Sequence, residues 1–270
     1  MRKLRVDRSG ISEIVGALML TLIVVVAASS FAVFLSQQQK AVQDQELYAL
    51  EKSQESLNII GFQQNFTTNN KEYFDLNFTI TSNHARDSDV TKIAVNGHVA
   101  RDFFLWRINQ TSGIWEQEHL DWSNDFKILA KEQLYLRLNK TNLFENNVIF
   151  QNGTFVKLEV FTKLLNSFTR VYMPPSALLT ISTESLWDGV SFKPFIVLDG
   201  GGSVAQEGSY LTMYDWNVTK PGVSPSYSHV GGVKATFDFS SLGPGQYYVN
   251  LTVMDDHGLM GMDSTVYFLI

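Results

Sequence analysis

IVGALMLTLIVVVAASSFAVFL, residues Ile14–Leu35, runs for 22 positions without a charged side chain. As an α-helix rising about 1.5 Å per residue it extends roughly 33 Å, enough for one crossing of a bilayer. Its flank is basic: Arg2, Lys3, Arg5 and Arg8 stand against Asp7, so the first ten residues carry +3 while the whole chain carries −6. By the positive-inside rule this predicts a single-pass protein of the cell membrane, with residues 1–10 in the cytoplasm and everything after about Ser36 extracellular. An ordinary secretory signal, with Ala27, Ala28, Ser29 and Ser30 near its cut, would carry a shorter apolar core of about 7–15 residues. The lipid bilayer is therefore the first expected partner.

Beyond Leu35 the sequence becomes SQQQKAVQDQELYALEKSQESLNII, which contains neither Gly nor Pro. Its residues are mostly good or tolerable helix formers, and Val42, Leu47, Leu50 and Leu57 recur among Gln, Glu and Lys. The reading is one helix over residues 11–57, apolar all round in its first half, amphipathic in its second and ended by Gly61.

From residue 58 the pattern turns to β. Tyr73–Thr81, Lys131–Leu138 and Phe155–Phe161 alternate in part between apolar and polar residues. Asn96-Gly97, Ser112-Gly113 and Asn152-Gly153 supply turns. A β-sandwich is expected over 58–175, closed by Pro174-Pro175, with a second over 188–270 built on Phe195–Leu198, Tyr210–Trp216, Ala235–Phe239, Gln246–Val253 and Ser264–Ile270. The fold class is mostly β with one long N-terminal helix. A composition 44% hydrophobic and 18% charged excludes a disordered chain and a polytopic membrane protein. The absence of cysteine removes disulfide and thiolate chemistry. An acidic balance argues against a nucleic-acid partner.

Arg8–Met19, RSGISEIVGALM, resembles the N-terminus of archaeal type IV pilins and their archaellin-like relatives, which carry a class III signal peptide. The resemblance implies that a prepilin peptidase cuts between Gly10 and Ile11, with Ser12 and Gly16 at the second and sixth mature positions. Ser9 separates Arg8 from Gly10, where the family often places the basic residue adjacent. Glu13 is third in the mature chain, whereas the bacterial pattern has its Glu fifth. Gly16, Ala17, Ala27 and Ala28 are small enough to let helices approach closely in a bundle. An uncleaved signal-anchor helix shares these features except the leader.

Phe78–Asn83 followed by Asp89–Gly97 is similar to the head domains of archaeal pilin-like proteins. The C-terminal block resembles a PKD domain, an immunoglobulin-like sandwich, in Leu198–Ser203, in Tyr214-Asp215-Trp216 and in Gly243–Gly258. It departs from that family at Asn217–Gly222.

Seven Asn-x-Ser/Thr sequons, at Asn65, Asn77, Asn109, Asn139, Asn152, Asn217 and Asn250, lie on the side assigned to the exterior and make a glycoprotein the expectation. Asp199, Asp215, Asp255 and Asp256 could offer oxygens to calcium, but their Asp-Gly and Asp-Asp-His-Gly settings read as turn chemistry, so no metal is assigned. His84, His98, His119, His229 and His257 show no metal-site spacing. Gly200–Gly202 lacks a phosphate loop's Lys-Ser/Thr, and no nucleophile elbow occurs. No catalytic residue or cofactor is expected. Trp106, Trp115 and Trp122 form either an exposed binding cluster or part of a core. These features point to a pilin-like surface protein for adhesion or surface structure, partnered by other pilin subunits or surface-layer proteins and located in the membrane or a pilus. The alternative is a non-polymerising surface scaffold or filament stator.

Overall fold

A computed structural model describes residues 8–66, 73–109, 111–121, 123–139, 154–187, 189–222, 227–237 and 243–269. Helix α1 (Arg8–Gln54) covers 47 residues, and its part from Glu13 to Gln54 is long and apolar enough to cross a membrane. Every side chain from Glu13 to Leu50 is exposed. The hydroxyls of Thr21, Ser29 and Ser30 donate to the carbonyls of Ala17, Val25 and Val26 at 2.8, 2.7 and 2.8 Å. The few polar groups of the apolar stretch are thus satisfied within the helix, as a hydrocarbon environment demands.

The helix ends at Gln54, three residues before the expected Leu57, and Gly61 is not its cap. Leu57–Phe66 is instead strand β1, and Gly61, at φ +62°, sits in a bulge where the register slips between Ile60 and Gln63. The reason is non-local. Glu55, 7% exposed, accepts from the Thr162 hydroxyl at 2.6 Å and from Asn166 Nδ2 at 2.8 Å. The apolar residues that follow, Leu57 and Ile59, then enter the core of the β body.

That body, Glu55–Ile270, is one compact unit with two cores. In the first sandwich β1 is followed by β2 (Tyr73–Ser82), β3 (Ser88–Val95), β4 (His98–Val99), β5 (Asp102–Ile108), β6 (Trp115–Asp121), β7 (Phe126–Ile128), β8 (Gln133–Asn139), β9 (Val156–Thr162) and β10 (Ser167–Tyr172). One sheet has the order β1-β2-β8-β5-β6 and the other β10-β9-β3-β4, with β7 also on β3. Leu76, Phe78, Ile80, Leu105, Leu134, Leu136 and Leu138 project from the first sheet into the core at 2% exposure or less. The Asn96-Gly97 turn closes the β3–β4 hairpin with both residues at positive φ (51° and 82°), as a two-residue Asn-Gly hairpin requires.

The second sandwich contains β11 (Thr180–Trp187), β12 (Phe192–Asp199), β13 (Leu211–Thr219), β14 (Tyr227–Gly231), β15 (Lys234–Phe237), β16 (Gly245–Asp255) and β17 (Met260–Leu269). Its sheets run β11-β12-β15 and β14-β13-β16-β17, an immunoglobulin-like arrangement of three strands over four. The domain begins at Thr180, before the expected residue 188, because β11 pairs with β12 from Thr180↔Asp199 to Trp187↔Phe192. Trp216 fills the core centre at 0% exposure and donates from Nε1 to the Gly232 carbonyl at 3.2 Å. The Tyr247 hydroxyl reaches back four residues to the Gly243 carbonyl at 2.5 Å, a tyrosine corner at the start of β16.

Candidate functional site

Two places in the β body concentrate aromatic and ionisable side chains. The first is the solvent face of the larger sheet of the first sandwich. Strand alternation sends Phe103 and Leu105 inward, so Phe104, Trp106 and Ile108 face outward. Cross-strand register then sets Tyr135 beside both Thr79 and Trp106, Gln117 beside Trp106, and Trp115 beside Ile108. Trp106 and Tyr135 meet edge to face, ring centroids 5.4 Å apart at 62°. Phe104 lies 6.0 Å from Trp106 and 4.9 Å from the His119 imidazole, and His119 Nε2 pairs with Asp102 Oδ1.

Thr79, Trp106, Trp115, Gln133 and Tyr135 line a cavity of about 330 Å³ that is open to solvent. Trp115 is held on its rim by the β5–β6 turn. There Asn109 Oδ1 accepts the amides of Thr111 and Ser112 at 2.8 and 3.2 Å, and Asn109 Nδ2 donates to Glu116 Oε1 at 2.7 Å. Of the three tryptophans singled out in the sequence, Trp106 and Trp115 come together here and Trp122 lies outside the described residues. Tyr135, Thr79 and Gln133 were not anticipated, because only pairing between distant strands brings them to the tryptophans.

The second place is the joint between the sandwiches. The β16–β17 turn, Asp255–Leu259, inserts Leu259 into the first core at 1% exposure. The Gln64 amide donates to the His257 carbonyl at 2.8 Å. Phe62 and Tyr172 stack at 4.5 Å, with the His257 ring 6.5 and 5.4 Å from them. The linker after Tyr172 runs along the second sandwich, exchanging backbone bonds of 2.8 and 2.9 Å between Ser176 and Val204. It also donates the Leu179 amide to Asp263 Oδ2 at 2.8 Å.

Asp255, Asp256 and His257 bring potential ligand atoms within 4.8 Å of one another. Asp255 Oδ1 accepts the amides of His257 and Leu259 at 3.0 and 2.8 Å. Asp256 Oδ1 accepts the Tyr210 amide at 3.1 Å and pairs with the Ser209 hydroxyl. Asp199 Oδ1 likewise accepts the Gly201 amide at 2.8 Å, while its Oδ2 meets Lys234 Nζ at 2.9 Å. These carboxylates thus do the turn work expected from sequence. Burial pushes the Asp255 carboxyl above the usual range against the pull of the two amides. The Lys234 hydrogen bond and the Gly201 amide hold Asp199 below it. Asp215 is buried in β13. His84 bonds within its own turn to Arg86, and His98 and His229 are exposed.

Among the sequons, Asn250 has an exposed side chain, Asn109 is half-buried, and Asn217 is half-buried opposite Asn250. Asn77 is 5% exposed. The side chains of Asn65 and Asn139, and the whole of Asn152, lie outside the described residues. Gly10 and Ile11 fall in the first turn of α1, where backbone alone is described.

No protein-family model matches the chain, and no curated protein matches it either. Among solved structures, the chain is similar to the YadV chaperone at 10% identity and a TM-score of 0.25, over 78% of this chain and 99% of that one. A likeness of that size carries no argument about function.

Proposed function

We propose that this protein is an archaeal, pilin-like cell-surface protein, anchored by α1 and displaying two β-sandwiches outside the cell, the second of the PKD kind. The observation that carries the reading is α1 itself. Its residues Ile14–Leu35 are apolar on every face, and the same helix continues through polar sequence to Gln54 before the β body begins. A soluble domain buries such a surface, so it belongs in lipid or among like helices. The basic leader before Ile11 gives the orientation, and Gly10-Ile11 gives a prepilin peptidase its cut. Asn250, exposed on the second sandwich, is the best-presented acceptor for a glycan among the sequons whose side chains are described.

N-terminal sequencing of protein purified from membranes tests the processing. A chain beginning at Ile11 supports the pilin-like reading, whereas Met1 marks a plain anchor and a start near Ser29 marks ordinary secretion.

The β body supports a second reading, since a major pilin must pack its head densely at every repeat and Glu55–Ile270 is a large head. That reading is a membrane-anchored scaffold or filament stator. Filaments containing the chain, lost when residues 11–35 are deleted, favour the first. A processed chain that stays unpolymerised in cells making pili favours the second.

A further inference from the structure

We propose that the cavity bounded by Thr79, Trp106, Trp115, Gln133 and Tyr135 is a binding site for a neutral saccharide. The proposal stands whether or not the chain polymerises.

The first argument is placement. On a sheet with one face in a core, the outward positions are expected to be polar, yet β5 and β8 put Phe104, Trp106 and Tyr135 there, and β6 adds Trp115 at 51% exposure. None of these rings belongs to the core beneath. Large aromatic side chains kept at a wet surface around a cavity are what a recognition site uses, because they offer wide, stiff contact area with a polar edge.

The second argument is size and charge. The cavity, about 330 Å³, falls at the lower end of the range of about 300–1,000 Å³ in which small ligands sit. All five lining residues are uncharged at neutral pH. On the same face of the sheet His119 pairs with Asp102, and the exposed Arg137 lies beyond Tyr135, opposite Phe104, outside the lining. Nothing in the lining is suited to a phosphate, a carboxylate or a metal ion.

The third argument is the mixture of surfaces. A pyranose ring has C–H faces that lie against aromatic planes and a belt of hydroxyls that both donate and accept. Trp106, Trp115 and Tyr135 supply the planes, the Gln133 amide supplies donor and acceptor together, and the Thr79 hydroxyl supplies either. A purely apolar ligand would leave the amide and hydroxyl without partners, which costs binding energy. An extended peptide would satisfy its backbone along the open edge of β6 rather than within the ring-lined cavity. The Asn109 turn that fixes Trp115 gives the site preorganisation.

The test is equilibrium titration of the full-length protein, held in a detergent without a sugar headgroup. The probes are cellotetraose, maltotetraose, mannotetraose and the tetramer of N-acetylglucosamine, with a proline decamer as the competing class. At least one oligosaccharide should bind saturably. Trp115→Ala, whose ring is exposed at the rim and whose loss leaves the core intact, should weaken it at least about tenfold without moving the thermal midpoint. Trp106→Ala should do the same, and Trp187→Ala on the second sandwich should leave the affinity unchanged. The proposal is overturned if none of the four sugars binds, if Trp115→Ala and Trp106→Ala bind as tightly as the parent, or if only the proline decamer binds.

Discussion

Gly261 in β17 lies so close to Pro175 that a Cβ on it would come within 1.9 Å of the Pro175 carbonyl oxygen. The linker between the two sandwiches is therefore laid directly on the backbone of the second, and a side chain there must push it away. Gly261→Ala is expected to cost about 1–3 kcal/mol, the usual range for overpacking, and to lower the thermal midpoint by a few degrees. Gly232→Ala is the control, since a Cβ at that position meets nothing within 4 Å. Scanning calorimetry of the two variants beside the parent checks both, and equal midpoints for all three would show that the linker yields freely.

Asp255 makes the stability of the same joint depend on pH. Its carboxyl is raised by burial in the folded chain, so it holds its proton to higher pH than in the unfolded chain. Below the ordinary carboxylate range both states are protonated. As pH rises from there through the raised folded value, the unfolded chain loses its proton first and the fold loses stability. Asp255→Asn keeps an acceptor for the His257 and Leu259 amides and should flatten the pH profile in that window, with stability at neutral pH equal to or above the parent. Asp255→Ala should instead cost about 1–3 kcal/mol, because both amides lose their acceptor. Urea midpoints measured from about pH 4 upward separate these outcomes.

The tyrosine corner should matter less than its short bond suggests. Tyr247→Phe removes the hydroxyl from the Gly243 carbonyl, but that carbonyl also accepts from Lys220 Nζ at 3.3 Å. The ring would still fill the second core and keep Lys220 Nζ over its face at 5.3 Å. A loss near the low end of about 0.5–1.5 kcal/mol is expected. An unfolding free energy from denaturant titration that falls by several kcal/mol would mean that the corner locks the β16 entry in a way the ring alone cannot.

How much of this was legible in the sequence follows from the range of the interactions. Ile14–Leu35 declares a helix by itself, since an uninterrupted apolar run of that length has no other home. Asn96-Gly97 declares its hairpin because both residues tolerate positive φ. The helix end could not be read, because Leu57-Asn-Ile-Ile suits a helix or a strand. What decides it is pairing with β2 and the bonds from Glu55 to Thr162 and Asn166. Strand β11, TISTESLW, was missed because its Ser, Thr and Glu give no clear alternation, and only the partner strand β12 identifies it. Trp106 and Trp115 are near in sequence across one hairpin, so their cluster could be raised. Tyr135 joins them through β8, and Leu259 reaches a core built by residues up to about 200 positions away. Contacts of that separation leave no local signal.

The anchor is tested by a single charge. Leu22 lies within the apolar run and is 64% exposed on α1, so its side chain faces whatever surrounds the helix. If that is hydrocarbon, Leu22→Arg costs about 2.5–3.5 kcal/mol of insertion free energy near the middle of the span. Leu22→Ile changes shape but not polarity and should insert normally. Carbonate extraction of membranes from cells expressing each form should leave the parent and Leu22→Ile in the pellet and move a substantial fraction of Leu22→Arg to the supernatant. The β body, with its own two cores, should remain folded in the released fraction, which limited proteolysis can show. Full retention of Leu22→Arg in the pellet would mean that α1 is held by protein contacts rather than by lipid, and would shift the anchoring role to an assembly of helices.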